Sequence, residues 1–257
     1  CAITASHNPA IDNGIKVFLR GGQKTDENFE AKIESYLNTY LDSDLVVEIE
    51  FVQDVEDKND KAFKTYITWL QESFNELSLD GLAVALDCAN GASYETAPSI
   101  FNILGAKTLP INVESDGIHI NENCGATDLS SLKKYVLSNQ VDIAFAFDGD
   151  ADRIMILDEN AKEYDGDYIL ALLAKELDLD PKIIVATSMS NGALKTFLSR
   201  VDTQFVETAV GDKNVALGMR ESGAKIGGEQ SGHIIYTDYA SFGDGVLIAI
   251  LISGILA

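Results

Sequence analysis

Apolar residues at helical spacing mark the first clear element: Phe29, Ile33, Tyr36, Leu37 and Tyr40 predict an amphipathic helix over 27–41. The same signal at Phe63, Tyr66, Ile67, Leu70 and Phe74 predicts a helix over 62–77. Between them, residues 46–61 are acidic and lack a regular pattern, as expected of a connection. Ahead of the first helix, Ala2-Ile3 leads into a polar loop over 6–14, and 15–19 reads as a strand.

From residue 82 onward, short apolar runs alternate with helical stretches. Strands are expected at 82–86, 108–113, 141–147 and 154–157, with helices at 93–104 and 128–138. The 141–147 run is almost continuously apolar, as in strands buried on both faces. A second series has helices at 168–177, 192–199, 214–221 and from 245 onward, and strands at 183–186, 204–208, 225–226 and 233–237. This alternation predicts an α/β fold: consecutive α/β domains with mixed sheets flanked by helices. Boundaries near 58 and 160 divide the chain into 1–57, 58–160 and 161–257. The two series suggest an internal structural repeat whose sequences barely match.

Charge then narrows the function. A net charge of −22 over 257 residues disfavours nucleic acid and anionic membranes as partners. Any phosphorylated ligand would need local cations or a metal to reverse that field. Cys1, Cys88 and Cys124 sit in no metal-ligand spacing and read as reduced thiols in a cytoplasmic protein. The apolar run from Val246 is too short to span a bilayer.

The strongest chemical motif is Asp148-Gly-Asp-Ala-Asp152-Arg153. If the segment is extended, residues two apart share a side, so three carboxylates can converge on one hard cation such as Mg²⁺ or Ca²⁺. An EF-hand loop is a poor match, because Arg153 stands where that loop needs glycine and the flanks read as strands. A solvated acidic turn and an Asp-nucleophile site remain open. The second motif is Thr4-Ala-Ser-His-Asn-Pro9, followed by Asp12-Asn-Gly-Ile-Lys16. Ser, Asn and Pro already account for a loop there. Adjacent Ser6 and His7 make a poor hydrolase dyad, and Ser231 lacks the flanking glycines of a nucleophile elbow.

Taken with Gly228-Glu-Gln-Ser-Gly-His233, these motifs resemble, in order, those of the α-D-phosphohexomutase superfamily. The resemblance extends through 87–92, 117–125 and Val210-Gly-Asp-Lys213. Gln230, the INENCG stretch and ATSMSN at 186–191 are most similar to its amino-sugar branch. It implies that Ser6 carries a phosphoryl group, and that Asp148, Asp150 and Asp152 hold Mg²⁺ with a phosphate oxygen on Ser6 as a further ligand. His7 and Lys16 are then expected near the transferring group, Lys16 as general acid–base if its pKa is lowered, and Arg153 as a phosphate ligand. Glu229, Ser231 and His233 match the sugar loop. Gly211 and Asp212 open a helix whose N-terminus could meet a phosphate, although Asp212 could equally be a plain cap.

The implied reaction interconverts glucosamine 6-phosphate and glucosamine 1-phosphate through a bisphosphate, so the expected partner is a phosphorylated hexosamine. A glucose or mannose phosphomutase and a non-catalytic phosphosugar- or calcium-binding module are the alternatives. The resemblance further implies flanking segments beyond Cys1 and Ala257, with low activity expected of the chain alone. It leaves the oligomeric state open.

Overall fold

The structure, a computed structural model, describes residues 1–19, 25, 27–41 and 59–257. Most of the acidic connection expected over 46–61 lies outside the described residues, and its last residues belong to a helix.

Strand β1 (Ala2–Thr4) pairs antiparallel with β2 (Gly14–Lys16), with Ile3 opposite Ile15. The second strand is shorter than the expected 15–19 and is followed by α1 (Glu27–Leu41), whose bounds match the apolar periodicity. Helix α2 (Asn59–Ser73) begins and ends a few residues before the expected 62–77, with Ile67 and Leu70 buried.

A five-stranded sheet comes next. Its elements are β3 (Ala83–Asp87), α3 (Ser93–Ile103), β4 (Lys107–Ile111), α4 (Ser130–Ser138), β5 (Ile143–Phe147), β6 (Ile154–Asp158) and β7 (Glu163–Tyr164). The order is β4-β3-β5-β6-β7. β3 lies parallel to β4 and β5, and β6 runs antiparallel to β5. The sequence pattern had placed no strand at 163–164, which is only two residues long and has no apolar alternation.

The second unit contains α5 (Gly166–Glu176), β8 (Ile183–Thr187), α6 (Gly192–Arg200), β9 (Gln204–Thr208), α7 (Asp212–Ser222), β10 (Ile226–Gly228), β11 (Ile234–Tyr236) and α8 (Gly245–Leu256). Its sheet order is β11-β10-β8-β9, with β8 parallel to β9 and β10 and β11 antiparallel to β10. Thus β9-β8-β10-β11 repeats the order and directions of β4-β3-β5-β6. The internal repeat lives in topology where sequence identity has faded.

One apolar cluster joins the two sheets, including Phe101, Phe145, Phe147, Ile169, Leu170 and Ile184. Helix α8 closes it, burying Val246, Leu247, Ile248, Ile250 and Ile252. At about 1.5–3 kcal/mol for each large aliphatic side chain, that burial alone anchors the helix. Its N-terminus is capped by Asp244, which accepts from the Leu247 N–H at 3.0 Å and from the Tyr66 hydroxyl of α2 at 2.9 Å. Both sheets therefore present their strand ends to one rigid region. No helix among the described residues is long and apolar enough to cross a membrane.

Candidate active site

The Ser6 segment is a tight turn closed by the Asn8 N–H donating to the Ala5 carbonyl at 2.9 Å. Ser6 occupies its second position with φ +51°, a left-handed conformation usually reserved for Gly or Asn. Three bonds hold it there. The Thr4 hydroxyl oxygen accepts from the Ser6 N–H at 2.8 Å, and the Ser6 carbonyl accepts from Gly149 N at 3.1 Å and Asn121 Nδ2 at 2.7 Å. Lys16, at the end of β2, sits across the hairpin from Ala2 and returns its ammonium to within 3.5 Å of Ser6 Oγ.

The acidic motif follows β5, whose five residues are all buried. It is a tight bend, which the small residues Gly149 and Ala151 permit, although alternate spacing by itself suggests an extended segment. The Ala151 N–H donates to the Asp148 carbonyl at 2.9 Å, and Ala151 itself has φ +58°. The bend still converges the side chains: one oxygen from each of Asp148, Asp150 and Asp152 lies within 4.8 Å of the others. Gly149 is required by proximity, because a Cβ there would meet the Ser6 carbonyl oxygen at 2.5 Å.

The serine turn and the acidic bend touch directly. The Ser6 hydroxyl donates to Asp150 Oδ1 at 3.3 Å, and Lys16 Nζ contacts Asp150 Oδ2 at 2.5 Å and Asp152 Oδ2 at 3.4 Å. His233, paired with Arg153 across an isolated bridge, places Nδ1 3.5 Å from Asp152 Oδ1.

Electrostatics separate the three carboxyls. Burial, followed by the charges of Asp152 and Asp150, pushes Asp148 up to about 8. Burial opposes ionisation of Asp152 too, but His233, Lys16 and Arg153 prevail and hold it well below the usual carboxylate range. Burial also disfavours the Lys16 ammonium, yet Asp150 and Asp152 outweigh it and raise the lysine above its ordinary value. The lowered lysine pKa expected of a general base is therefore absent, and Lys16 is held as an acid. His7 is lowered, first by burial and then by Arg153.

Two carboxylate oxygens, Asp148 Oδ2 and Asp152 Oδ1, are buried without a hydrogen-bond donor. Buried carboxyl oxygens left without a hydrogen bond are costly, and a hard cation would satisfy this donor set. The residues present fit a metal ion.

The sugar-loop residues divide. His233 and Asp212 line the same cavity as Thr4, Lys16, Asp150 and Asp152, a cleft of about 1680 Å³. Glu229, Ser231 and Gly211 stand outside those walls. Glu229 Oε1 accepts from the Gly211 N–H at 3.0 Å, tying the two loops together, and Ser231 is exposed. Gly211, with φ +118°, is the N-cap of α7, so Asp212 lies inside the helix and does not cap it. Gln230 donates to Asp165 Oδ2 at 3.1 Å.

Two residues lie within segments singled out in the sequence but were given no role there. Asn121 bridges the Ser6 and Asn8 carbonyls from the loop after β4. Asp87, fully buried, accepts from Ala89 N at 3.1 Å, Gly125 N at 3.0 Å and Asn112 Nδ2 at 3.0 Å, pinning that loop's far end. An acid at the end of a buried strand was the available signal for Asp87. For Asn121 only the Asn-rich loop composition hinted at a left-handed position.

These features define an α/β protein with a serine turn held against an acidic bend whose carboxyls fit a metal ion and line a large cleft. The sequence matches family models described as "Phosphoglucomutase/phosphomannomutase, alpha/beta/alpha domain" I over residues 1–43, II over 64–162 and III over 165–257. The chain belongs to the phosphoglucomutase/phosphomannomutase family. Phosphoglucosamine mutase of Campylobacter fetus subsp. fetus is 44% identical over 261 residues, covering 99% of this chain and 58% of that protein. The chain therefore spans somewhat over half the length of that curated relative. In fold it is similar to a phosphoglucomutase/phosphomannomutase family protein from Burkholderia thailandensis (TM-score 0.80, 23% identity, 99% of this chain and 54% of that one). It is also similar to Aspergillus fumigatus N-acetylphosphoglucosamine mutase in complex with GlcNAc-6P and magnesium (TM-score 0.61, 20% identity, 76% of this chain and 50% of that one).

Proposed function

We propose that the chain forms the catalytic part of a phosphoglucosamine mutase, which interconverts glucosamine 6-phosphate and glucosamine 1-phosphate in the cytoplasm. The observation that carries the reading is the contact of the Ser6 hydroxyl with both Asp150 and Lys16. The 44% identity to the Campylobacter fetus enzyme supports the amino-sugar substrate. The domain division is proposed at 1–57, 58–160 and 161–257, supported by the three separately matched family segments.

In this reading Ser6 carries the phosphoryl group, and Asp148, Asp150 and Asp152 hold Mg²⁺ as the metal. When bound, the ion would neutralise charge on the transferring group, as in other phosphoryl transfers. Lys16 donates a proton to Ser6 Oγ as the phosphoryl group leaves for the sugar hydroxyl and takes up the proton that hydroxyl loses, with the same exchange reversed on return. Arg153 and His7 hold phosphate oxygens, and the guanidinium suits a bidentate grip. Buried Arg153 Nε and His7 Nδ1 make no hydrogen bond among the described residues, and Arg153 Nε lies 4.0 Å from Asp152 Oδ1. Asp212 and His233 line the sugar's side of the cleft, and Gly211, Glu229 and Ser231 form its supporting loop.

Intact-mass measurement after incubation with glucosamine 1,6-bisphosphate and Mg²⁺ tests the carrier. One phosphoryl adduct is expected, absent in Ser6→Ala. An unchanged adduct in Ser6→Ala refutes the assignment, and faster turnover of glucose 6-phosphate than of glucosamine 6-phosphate refutes the substrate.

A further inference from the structure

Ser6 is strained, and something outside its own turn must hold it. A non-glycine residue at positive φ persists only where the surroundings over-determine it. The Thr4 hydroxyl fixes the Ser6 N–H from within the hairpin. The opposite end of the residue is fixed from the neighbouring unit. Asn121 uses both protons of its amide nitrogen, one to the Ser6 carbonyl at 2.7 Å and one to the Asn8 carbonyl at 2.8 Å. It thus brackets His7 and spans the serine turn.

Asn121 is itself built into place. It is 9% exposed and has φ +58°, and its N–H donates to the Ala89 carbonyl at 2.9 Å. Ala89 in turn donates to buried Asp87, which also holds Gly125 at the loop's other end. A continuous polar chain therefore runs from the end of β3 to the backbone of the serine. Asn121 does not touch Lys16 or the three aspartates by any hydrogen bond among the described residues. Its reach is confined to the orientation of the turn.

We infer that Asn121 is a positioning residue that sets the Ser6 hydroxyl in line for phosphoryl transfer. The inference rests on the reading of Ser6 as phosphoryl carrier. The step it controls forms the Ser6 Oγ–P bond as the sugar O–P bond breaks, with the serine hydroxyl proton passing by way of Lys16 to the departing sugar oxygen. Misplacing a reacting atom by a fraction of an ångström to 1 Å costs up to about a hundredfold in rate without touching substrate contacts.

The test follows Ser6 phosphorylation by glucosamine 1,6-bisphosphate in single-turnover mass measurements on the chain with Mg²⁺. Asn121→Asp keeps the shape and tolerates positive φ but removes both donors, and Asn121→Gly keeps the backbone conformation if the first variant folds poorly. The plateau rate is expected to fall roughly tenfold to a hundredfold. The half-saturating bisphosphate concentration and the Mg²⁺ affinity are expected to stay within about twofold, the signature of an interaction expressed in the chemical step. Wild-type rates in both variants overturn the inference. So does a parallel loss of Mg²⁺ affinity and folding in both, which marks a purely structural role. A wild-type chain that never takes a phosphoryl group on Ser6 overturns the carrier reading itself and this inference with it.

Discussion

Asp148 offers the sharpest physical test, because its charge is unwelcome wherever no cation offsets it. It is fully buried, Oδ1 accepts from the Arg153 N–H at 3.1 Å, and Oδ2 has no donor. The carboxyl is pushed up from 3.8 to about 8 by burial and by its two acidic neighbours. A raised carboxyl means that the folded chain holds a proton that the unfolded chain has already lost. Stability of the metal-free protein therefore falls as pH rises from about 4 to about 8. Each pKa unit is about 1.4 kcal/mol, so the full window is on the order of several kcal/mol before relaxation of the bend discounts it. Asp148→Asn keeps the shape and removes the titration. Urea unfolding in chelator is expected to show the variant within about 1 kcal/mol of wild type at pH 5 and more stable than wild type by about 2 kcal/mol or more at pH 8. Titrating groups outside the Asp148, Asp150 and Asp152 cluster cancel in that difference. Added Mg²⁺ is expected to reverse the order at pH 8 by stabilising only wild type through linkage. A stability difference that stays constant between pH 5 and pH 8 refutes the reasoning.

Asp150→Asn is expected to weaken Mg²⁺ binding at least tenfold by calorimetry, since it removes one of three charged ligands and the one that Ser6 contacts; unchanged affinity rules out the site. Gly149→Ala puts a methyl 2.5 Å from the Ser6 carbonyl oxygen and 2.8 Å from Asn121 Nδ2. A destabilisation of about 1–3 kcal/mol is expected, with Ser6 phosphorylation slowed, and a neutral effect on both would show that the turn and the bend are not in register.

Much of the fold was legible because period and burial coincide. The 27–41 helix and the strand at 204–208 were read to the residue, the helix from its regular apolar spacing and the strand from a short β-branched and aromatic run between two helical stretches. Boundaries slipped where chemistry other than periodicity sets them. Helix α2 starts at Asn59, before its first apolar residue, and β7 exists only because it edges β6. At the site, the motifs located the serine turn and the acidic bend but misjudged how they work. Alternate spacing suggested an extended strand, whereas hydrogen bonding between Asp148 and Ala151 makes a turn. The lysine's raised pKa depends on carboxylates over a hundred residues away in sequence, which no local pattern conveys. Asn121 lay in the noted INENCG stretch, but its role could not be read there for the same reason: its two partners belong to another unit.

The large negative charge of the chain and its proposed anionic substrate are reconciled by the bend itself. Without metal, Asp148 is substantially protonated near neutral pH, so Asp150 and Asp152 are left facing Lys16 and Arg153. That cluster is close to neutral and offers a phosphoryl dianion little. A divalent cation displaces the Asp148 proton, because metal and proton compete for the same oxygens. Three carboxylates, two fixed cations and the ion then sum to about one positive charge, in a cleft whose surroundings are otherwise acidic. The raised pKa of Asp148 therefore sets the metal-free site near neutral, and the ion is what carries it to net positive charge. A fully ionised triad with low pKa values would hold the ion more tightly across the pH range. It would present a net negative site to a phosphoryl group whenever the ion is absent, where the protonated Asp148 leaves that site near neutral.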